Sequence, residues 1–401
     1  MIIHADIYHY KSIAEAHVDF TDVNVIVGMN GVGKSNVVDA ISFISDCLSE
    51  DLDTAITRRH GIESVRQWSR TRPYHVTIEL HIRNRSGSGR LKVTIESGRG
   101  GVFSVGEEEA HWQGFHPFGV SINDEEPRTF TSSYRRLKTG KVEYSTDVDE
   151  YTNRVKDYSP YPLAPTDLLA TSIVGSYRGF ESLLFGELLA EIKDFVPYSI
   201  YPNTLRQPQI VSKEESLLPD GSNMASIVKT INSGHKRNKE SLLDALKVVL
   251  PISTDILVKS AGGYYVPVIQ VREPSGDQHQ LNMSQVSDGT LRVLGILSAL
   301  YQVNAPALIA LEEPEQMVHP GVLPVISDAV ADFVSKSGPG RQVFVTTHSP
   351  VLLDQFPPES IIWANFNNGV TECGRVSDRQ MSLIKRQLFT AGEILTSEGF
   401  F

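Results

Sequence analysis

One short segment limits this chain more than any other. Residues 28–35 read Gly28-Met29-Asn30-Gly31-Val32-Gly33-Lys34-Ser35 and fit the pattern G-x-x-x-x-G-K-[ST]. Such glycines let successive backbone N–H groups turn inward around phosphate oxygens. A lysine at this place reaches the β- and γ-phosphates, and the hydroxyl that follows takes a position on Mg²⁺. The context matches the pattern. Val23-Asn24-Val25-Ile26-Val27 is a short β-branched run suited to a central strand covered on both faces, and helical periodicity runs from Lys34 to about Leu48. A helix that starts at the loop adds its positive end to the same anion site. The segment implies an α/β chain that binds a nucleoside triphosphate.

The chemistry expected around a triphosphate lies much later in the sequence. Leu308-Ile309-Ala310-Leu311-Glu312-Glu313 is an apolar strand ending in two acids. Strand pleating predicts that their side chains point to opposite faces, so the two serve different tasks. Glu312 is the candidate Mg²⁺ ligand, direct or through water, and Glu313 the candidate base that polarises the attacking water. Upstream, Ser287-Asp288-Gly289-Thr290 opens an apolar helix, Leu291–Tyr301. Ser287 has two readings there, an ordinary N-cap or part of a second anion cradle that Gly289 lets a ligand approach. Downstream, the strand Val343-Phe344-Val345 leads to Thr346-Thr347-His348-Ser349. His348, at a strand end, is a candidate sensor of the γ-phosphate.

Composition sets the outer bounds. The chain has 401 residues, 40% apolar and 21% charged, enough for two or three domains of ordinary globular character. Its longest apolar runs fall short of the 18 or so residues of a membrane span. The first eleven residues carry Asp6 and no apolar core, so neither a signal nor a transit peptide is expected, and the expected location is cytoplasmic. Cys47 and Cys373 form no disulfide framework. The net charge of −11 argues against a generally nucleic-acid-binding surface. Residues 52–92 are the exception, with nine basic residues against three acids. That patch fits either a phosphate backbone or an ordinary solvated face.

The chain is expected to divide into a head formed by 1–110 and 255–401, with an inserted lid at 111–254. Alternation in Tyr74–Leu80 and Leu91–Ile95 predicts a hairpin, giving a β-rich N-terminal lobe. Residues 111–165 read as polar and irregular, with Pro160, Pro162 and Pro165 near the end. Helical periodicity follows over Asp167–Phe195, then a proline-marked connector, then a helical region over Asn223–Leu250. The fold class is thus α/β, a P-loop NTPase with a mixed sheet and an inserted, mostly helical lid.

The order of these motifs resembles the ABC-type ATPase heads, and among them the RecF/SMC/OLD group of DNA-associated ATPases. The resemblance rests on Tyr10-Lys11-Ser12-Ile13, the loop from Gly28 through Asn30 to Asn36, Ser287–Arg292, Glu312-Glu313-Pro314-Glu315, His319-Pro320 and Thr347-His348-Ser349-Pro350. It covers roughly 1–100 and 255–375. It implies ATP and Mg²⁺ as ligands, and a homodimer or higher homo-oligomer in which two heads sandwich two ATP molecules. Ser287, Asp288 and Gly289 would then act on the nucleotide of the other copy, and His319 would lie in the turn crossing the interface. An arginine in the Arg58-Arg59 pair would meet nucleotide or DNA, with Arg83 and Arg85 extending the DNA face.

Three departures accompany the likeness. Glu312 stands where many ABC heads have aspartate, Asp288 stands where transporters have glycine, and the glutamine that touches Mg²⁺ has three candidates, Gln67, Gln207 and Gln209. No long coiled-coil arm is expected between the glycine-rich loop and Ser287, and the roughly 50 residues after His348 are not expected to form the nuclease domain of OLD-type ATPases. Compact ATPases of this appearance resemble those of bacterial anti-phage modules, in which a separately encoded nuclease or toxin is controlled. Three functions remain open on sequence: a dimeric ATPase that senses DNA or phage and governs such an effector, a RecF-like DNA repair ATPase, or a scaffold glued by ATP with little turnover.

Overall fold

The computed structural model describes residues 1–70, 73–115, 129–146, 169, 180–336 and 340–400. In chain order the strands begin with β1 (Ile2–Tyr10), β2 (Ile13–Asp19), β3 (Val23–Val27), β4 (Val76–Arg83), β5 (Gly87–Ser97) and β6 (Phe103–Phe115). They continue with β7 (Thr129–Arg136), β8 (Val142–Thr146), β9 (Val196–Tyr198), β10 (Gln209–Ile210), β11 (Ser253–Ala261) and β12 (Tyr264–Arg272). The last are β13 (Gln278–Asn282), β14 (Leu308–Glu312), β15 (Gln342–Thr347), β16 (Ile361–Asn367) and β17 (Val370–Arg375). The principal helices are α1 (Lys34–Ser49), α2 (Leu52–Arg58), α3 (Ile62–Val65), α4 (Phe180–Lys193), α5 (Pro202–Arg206), α6 (Met224–Asn232), α7 (Lys236–Val249) and α8 (Asp288–Tyr301).

These elements form two compact units. The first comprises Met1–Asp22, Met29–Phe195 and Ile362–Arg375. Its strands run in the order β8-β7-β6-β5-β4-β1-β2-β17-β16, antiparallel except where β17 meets β2. Period-2 alternation explains the lobe. Ala5, Ile7, Ala16, Val18, Ile78, Leu80 and Ile82 are buried on one face, while His4, Asp6, His17, Glu79 and His81 stand on the other.

The second unit comprises Val23–Gly28, Val196–Ile361 and Val376–Phe401. Its core is the parallel run β3-β15-β14-β9, and a second, antiparallel sheet is made of β10, β12, β11 and β13. β3, β14 and β15 are almost wholly buried, as continuous β-branched runs in parallel sheets must be.

The mixed α/β architecture, the β-rich N-terminal lobe and an inserted helical region are therefore present. Two local readings change. In the stretch expected to be irregular from 111 onward, the described residues form the end of β6, then β7 and β8 joined by a turn at 137–141, and the expected boundary at 110 falls inside β6. The helical region 223–250 is two helices, α6 and α7, parted at Gly234 with φ 135°. Pro160, Pro162 and Pro165, and the start of the helix expected from Asp167, lie outside the described residues. No described helix is long and apolar enough to cross a membrane.

Candidate functional site

The glycine-rich loop lies mostly in the first unit. Its last glycine, Gly33, has φ 94° and is the N-cap of α1. A Cβ there would stand 2.2 Å from Thr371 Oγ1 and 2.7 Å from Ser12 Oγ, so both the backbone angle and the space demand glycine. The two hydroxyls buttress the loop. Thr371 Oγ1 donates to the Val32 carbonyl at 2.7 Å, and Asn36 Nδ2 donates to Ser12 Oγ at 2.6 Å. Each hydroxyl has one proton, so the 2.6 Å contact between them must be Ser12 donating to Thr371. The result is a directed chain, Asn36 to Ser12 to Thr371 to Val32.

The loop fits a phosphate. α1 has sixteen residues, no side-chain cap at its N-terminus and no acid in its first turn. By contrast α2 is capped by Asp51 and α8 by Ser287. A long helix that leaves its first amides without a side-chain acceptor is suited to an anion. Gly31 and Gly33 are both left-handed, and Lys34, buried, donates from Nζ to the Met29 carbonyl at 2.9 Å. Asn30 and Ser35 are exposed, the latter offering its hydroxyl from the first turn of α1, and Gly28 is buried at the end of β3.

The acid cluster lies in the second unit. β14 pairs in parallel with β15, Glu312 opposite Thr346, and β15 pairs in parallel with β3, Thr347 opposite Val27. All three strands therefore end at one edge, where Glu312, His348 and Gly28 stand, and carboxyl ends of parallel strands are where such folds bind ligands. Glu313 is not part of the pleat. Its φ is 40°, its N–H donates to the Thr346 carbonyl at 3.0 Å, and the division between the two acids comes from this left-handed residue rather than from strand alternation. Its carboxylate lies between Gln316, which donates to Oε2, and His348, whose Nδ1 is 3.5 Å from Oε1.

Several partners here were not foreseen. Glu315 is nearly buried, and its Oε1 accepts from Thr347 Oγ1 at 2.6 Å and from the His348 N–H at 3.2 Å, with His348 Nδ1 at 3.5 Å. His348 is thus held by two carboxylates. Arg292 is buried under Tyr201, and its Nη2 donates to the carbonyls of Glu312 at 2.8 Å and Glu313 at 3.2 Å. Burial lowers its pKa, and its Nε and Nη1 have no hydrogen-bond partner. Only the i+3 spacing of Gln316 from Glu313 was a sequence signal; the other contacts join distant segments.

Ser287 N-caps α8, accepting from the Thr290 N–H at 3.2 Å, and its side chain is exposed, so the ordinary reading holds and leaves its surface accessible. Asp288 is exposed and ion-paired with Arg206. A Cβ on Gly289 would stand 2.6 Å from the Met317 carbonyl, so its close approach is to the same chain. His319 is exposed and accepts from the Gly321 N–H at 3.1 Å. Among the glutamines, Gln209 is buried with its amide committed to Gly221 and Ala225, Gln67 bonds His9 at 2.9 Å, and Gln207 is exposed.

The expected arginine face needs correction at Arg59. Its side chain is buried, and it pairs with Asp39 at 3.0 Å and Asp46 at 2.7 Å, so its charge is spent inside the first unit. Arg58 also pairs, with Asp46 and Glu50. Arg83 and Arg85 are exposed at the β4–β5 turn. Arg72 of the basic stretch lies outside the described residues.

Residues 23–354, more than four-fifths of the chain, match the family described as "AAA domain, putative AbiEii toxin, Type IV TA system". The chain is 44% identical over 106 residues to a DNA replication and repair protein RecF of Porphyromonas gingivalis, covering 26% of each. It is 31% identical over 93 residues to the RecF of Streptococcus agalactiae, covering 23% of this chain and 22% of that one. The chain thus spans about a quarter of the length of these curated relatives. In fold it is similar to an SMC head crystallised bound to the C-terminal winged-helix domain of ScpA, with a TM-score of 0.54 at 14% identity over 95% of this chain and 99% of that one.

Proposed function

The chain belongs to that AAA-domain family of P-loop ATPases, and from this premise we propose that it binds and hydrolyses ATP with Mg²⁺ as a nucleotide-sandwiched homodimer. The observation that carries the proposal is Glu313, set in a left-handed backbone with its carboxylate between Gln316 and His348. It stands at the strand edge from which the glycine-rich loop departs.

In this reading the amides of 31–35 and Lys34 hold the phosphates. Ser35 and Glu312 supply the hard oxygens that suit Mg²⁺, which when bound offsets charge on the phosphates. Glu313 accepts the proton of the attacking water, Gln316 fixes its carboxylate, and His348, oriented by Glu315, faces the γ-phosphate. Ser287 and Gly289 serve the nucleotide of the second copy, with His319 at the dimer turn. The family's description names a toxin of a type IV TA system, which supports a toxin-linked output; the reading adds a separately encoded nuclease or toxin partner and defence against phage, with residues 111–254 as the partner-contacting insertion. The RecF relatives support DNA as the stimulus, or as the sole target in a repair role, with Arg83 and Arg85 as the exposed basic residues.

Glu313→Gln tests the core of this reading. Loss of a general base costs on the order of 10²–10⁴ in rate. ATP turnover should fall at least a hundredfold while nucleotide affinity stays within twofold, and solution mass should move to dimer with ATP and Mg²⁺. Ser287→Arg should bind ATP as a monomer. Turnover by Glu313→Gln at the parent rate would sink the assignment of the base.

A further inference from the structure

The open face of the β lobe carries a second cluster with no part in nucleotide chemistry. Asp6 on β1 lies opposite His17 on β2 and opposite Glu79 on β4, while His4 lies opposite Asp19 on β2 and His81 on β4. Side chains from three strands therefore converge. His4 Nε2 is 3.0 Å from Asp6 Oδ1, and His17 Nδ1 contacts the same oxygen from the other side. One ligand atom from each of His4, Asp6 and His17 lies within 4.8 Å of the others, and Asp6, Glu79 and His81 form an overlapping group of the same kind.

The outer partners make this more than a set of cross-strand ion pairs. The other ring nitrogen of each histidine is already held by a carboxylate. His4 Nδ1 is 2.7 Å from Asp19 Oδ1, and His17 Nε2 is 2.9 Å from Glu15 Oε1. Metal-ligating histidines characteristically donate their second N–H to a carboxylate, which fixes the tautomer and ring orientation and raises basicity. Here both histidines have that partner, and both turn the remaining nitrogen to one point beside Asp6. The rings of His4 and His81 meet edge-on, with centroids 5.3 Å apart, which keeps His81 at the rim. The side chains of His17 and Glu15 are more than half exposed, leaving an entry path from solvent.

We propose that this face is a binding site for a divalent transition metal of the zinc class, with His4 Nε2, His17 Nδ1 and an Asp6 carboxylate oxygen as ligands. Glu79, His81 or water completes the coordination. Bonds of about 2.0–2.2 Å from imidazole and carboxylate to Zn²⁺ place tetrahedral ligands roughly 3.4 Å apart, which small side-chain rotations reach from the observed spacing. Mixed imidazole and carboxylate donors favour Zn²⁺ and its neighbours over Mg²⁺. Bound metal would clasp β1, β2 and β4 together.

The test uses the full-length chain stripped of metal and then titrated with Zn²⁺, and separately with Co²⁺, without nucleotide. The parent should retain one Zn²⁺ per chain through gel filtration, gain in melting temperature with Zn²⁺, and give the visible Co²⁺ spectrum of a four- or five-coordinate nitrogen–oxygen site. Asp6→Asn and His17→Gln, nearly isosteric and on an exposed face, should each weaken Zn²⁺ at least tenfold and lose the Co²⁺ spectrum. The double variant Glu313→Gln/His348→Ala should keep both, which separates this site from the acid cluster. A parent that retains no Zn²⁺ overturns the proposal without recourse to any variant. So does Zn²⁺ retention that survives Asp6→Asn and His17→Gln but is lost in the double variant.

Discussion

Thr371 lies 339 residues after Val32 yet hydrogen-bonds its carbonyl, and replacing it with valine isolates what the buttress does for the loop. Thr371 is 1% exposed, so the change removes one buried oxygen and little volume. Two groups lose a partner: the Val32 carbonyl loses the donor at 2.7 Å, and the Ser12 hydroxyl loses its acceptor at 2.6 Å. A buried polar group left without a partner costs about 1–3 kcal/mol. Ser12 can rotate toward another acceptor while Asn36 still donates to it, so the lower half of the range applies to it, and the sum is about 2–5 kcal/mol. A loop loosened by that amount must be re-ordered when phosphate binds, and each 1.4 kcal/mol is tenfold in affinity. Thr371→Val should therefore weaken fluorescent ATP-analogue binding by roughly thirtyfold to a few thousandfold, while turnover at saturating ATP stays within about twofold. Urea unfolding supplies the independent measure of the lost stability. Should the urea data show the expected loss while nucleotide affinity stays within twofold of the parent, the hydroxyl chain holds the unit together without shaping the loop, and the reasoning fails.

Three further outcomes are expected. Gly289→Ala places a Cβ 2.6 Å from the Met317 carbonyl, and the resulting overpacking should cost about 1–3 kcal/mol in urea unfolding; an unchanged midpoint would mean that the 313–319 turn yields freely. Arg292→Leu removes a buried guanidinium whose Nε and Nη1 are unmatched, but it also takes a donor from the carbonyls of Glu312 and Glu313, so stability should fall by about 1–3 kcal/mol in urea unfolding. Turnover should fall at least tenfold, because those carbonyls lose their anchor. Asp39 sets the acid limit of the first unit. Burial raises its pKa, but the charges of Arg59 and Lys11 outweigh this and hold it below the ordinary carboxylate value. Its contribution is complete above the unfolded value near pH 4 and is lost as pH falls through the lower folded value. Thermal melts from pH 7 down to pH 2 should show a steeper acid loss in the parent than in Asp39→Asn, and parallel curves would remove Asp39 from the account.

What could be read from the sequence was local and periodic. The helix expected from Lys34 to about Leu48 is α1, Lys34–Ser49, and the helix expected at Leu291–Tyr301 is α8 with its Ser287 cap included. Glycine spacing and a run of β-branched residues are physical causes that act within a few residues, so they survive without tertiary information. β7 had no such signal. Thr129–Arg136 is polar and becomes a strand because β6 offers it an eight-residue ladder, with Glu108 opposite Arg136 at one end and Phe115 opposite Thr129 at the other. The short β9 inside the proline-marked connector is strand for the same reason, pairing in parallel with β14. Arg59 failed in the opposite direction. Its charge was legible, but whether a charge meets solvent or two aspartates is decided by packing.

The acid cluster was legible in identity and not in arrangement, and the difference has a backbone origin. Strand alternation would part Glu312 and Glu313 by placing them on opposite faces of one ladder. The left-handed turn at Glu313 parts them instead, and a non-glycine residue at φ 40° is kept there only when its surroundings over-determine it. Those surroundings are visible: Thr346 takes the N–H, Arg292 takes the carbonyl, and Gln316 takes the carboxylate. Each contact comes from a different element, β15, α8 and the following turn. Arg292 lies five residues beyond Ser287 on α8, so the helix whose exposed start faces a second copy in the proposed dimer also anchors the backbone of the proposed base. A displacement of α8 at its Ser287 end should therefore reach Glu313 through the buried guanidinium, and loss of that link should leave nucleotide binding intact while uncoupling it from turnover.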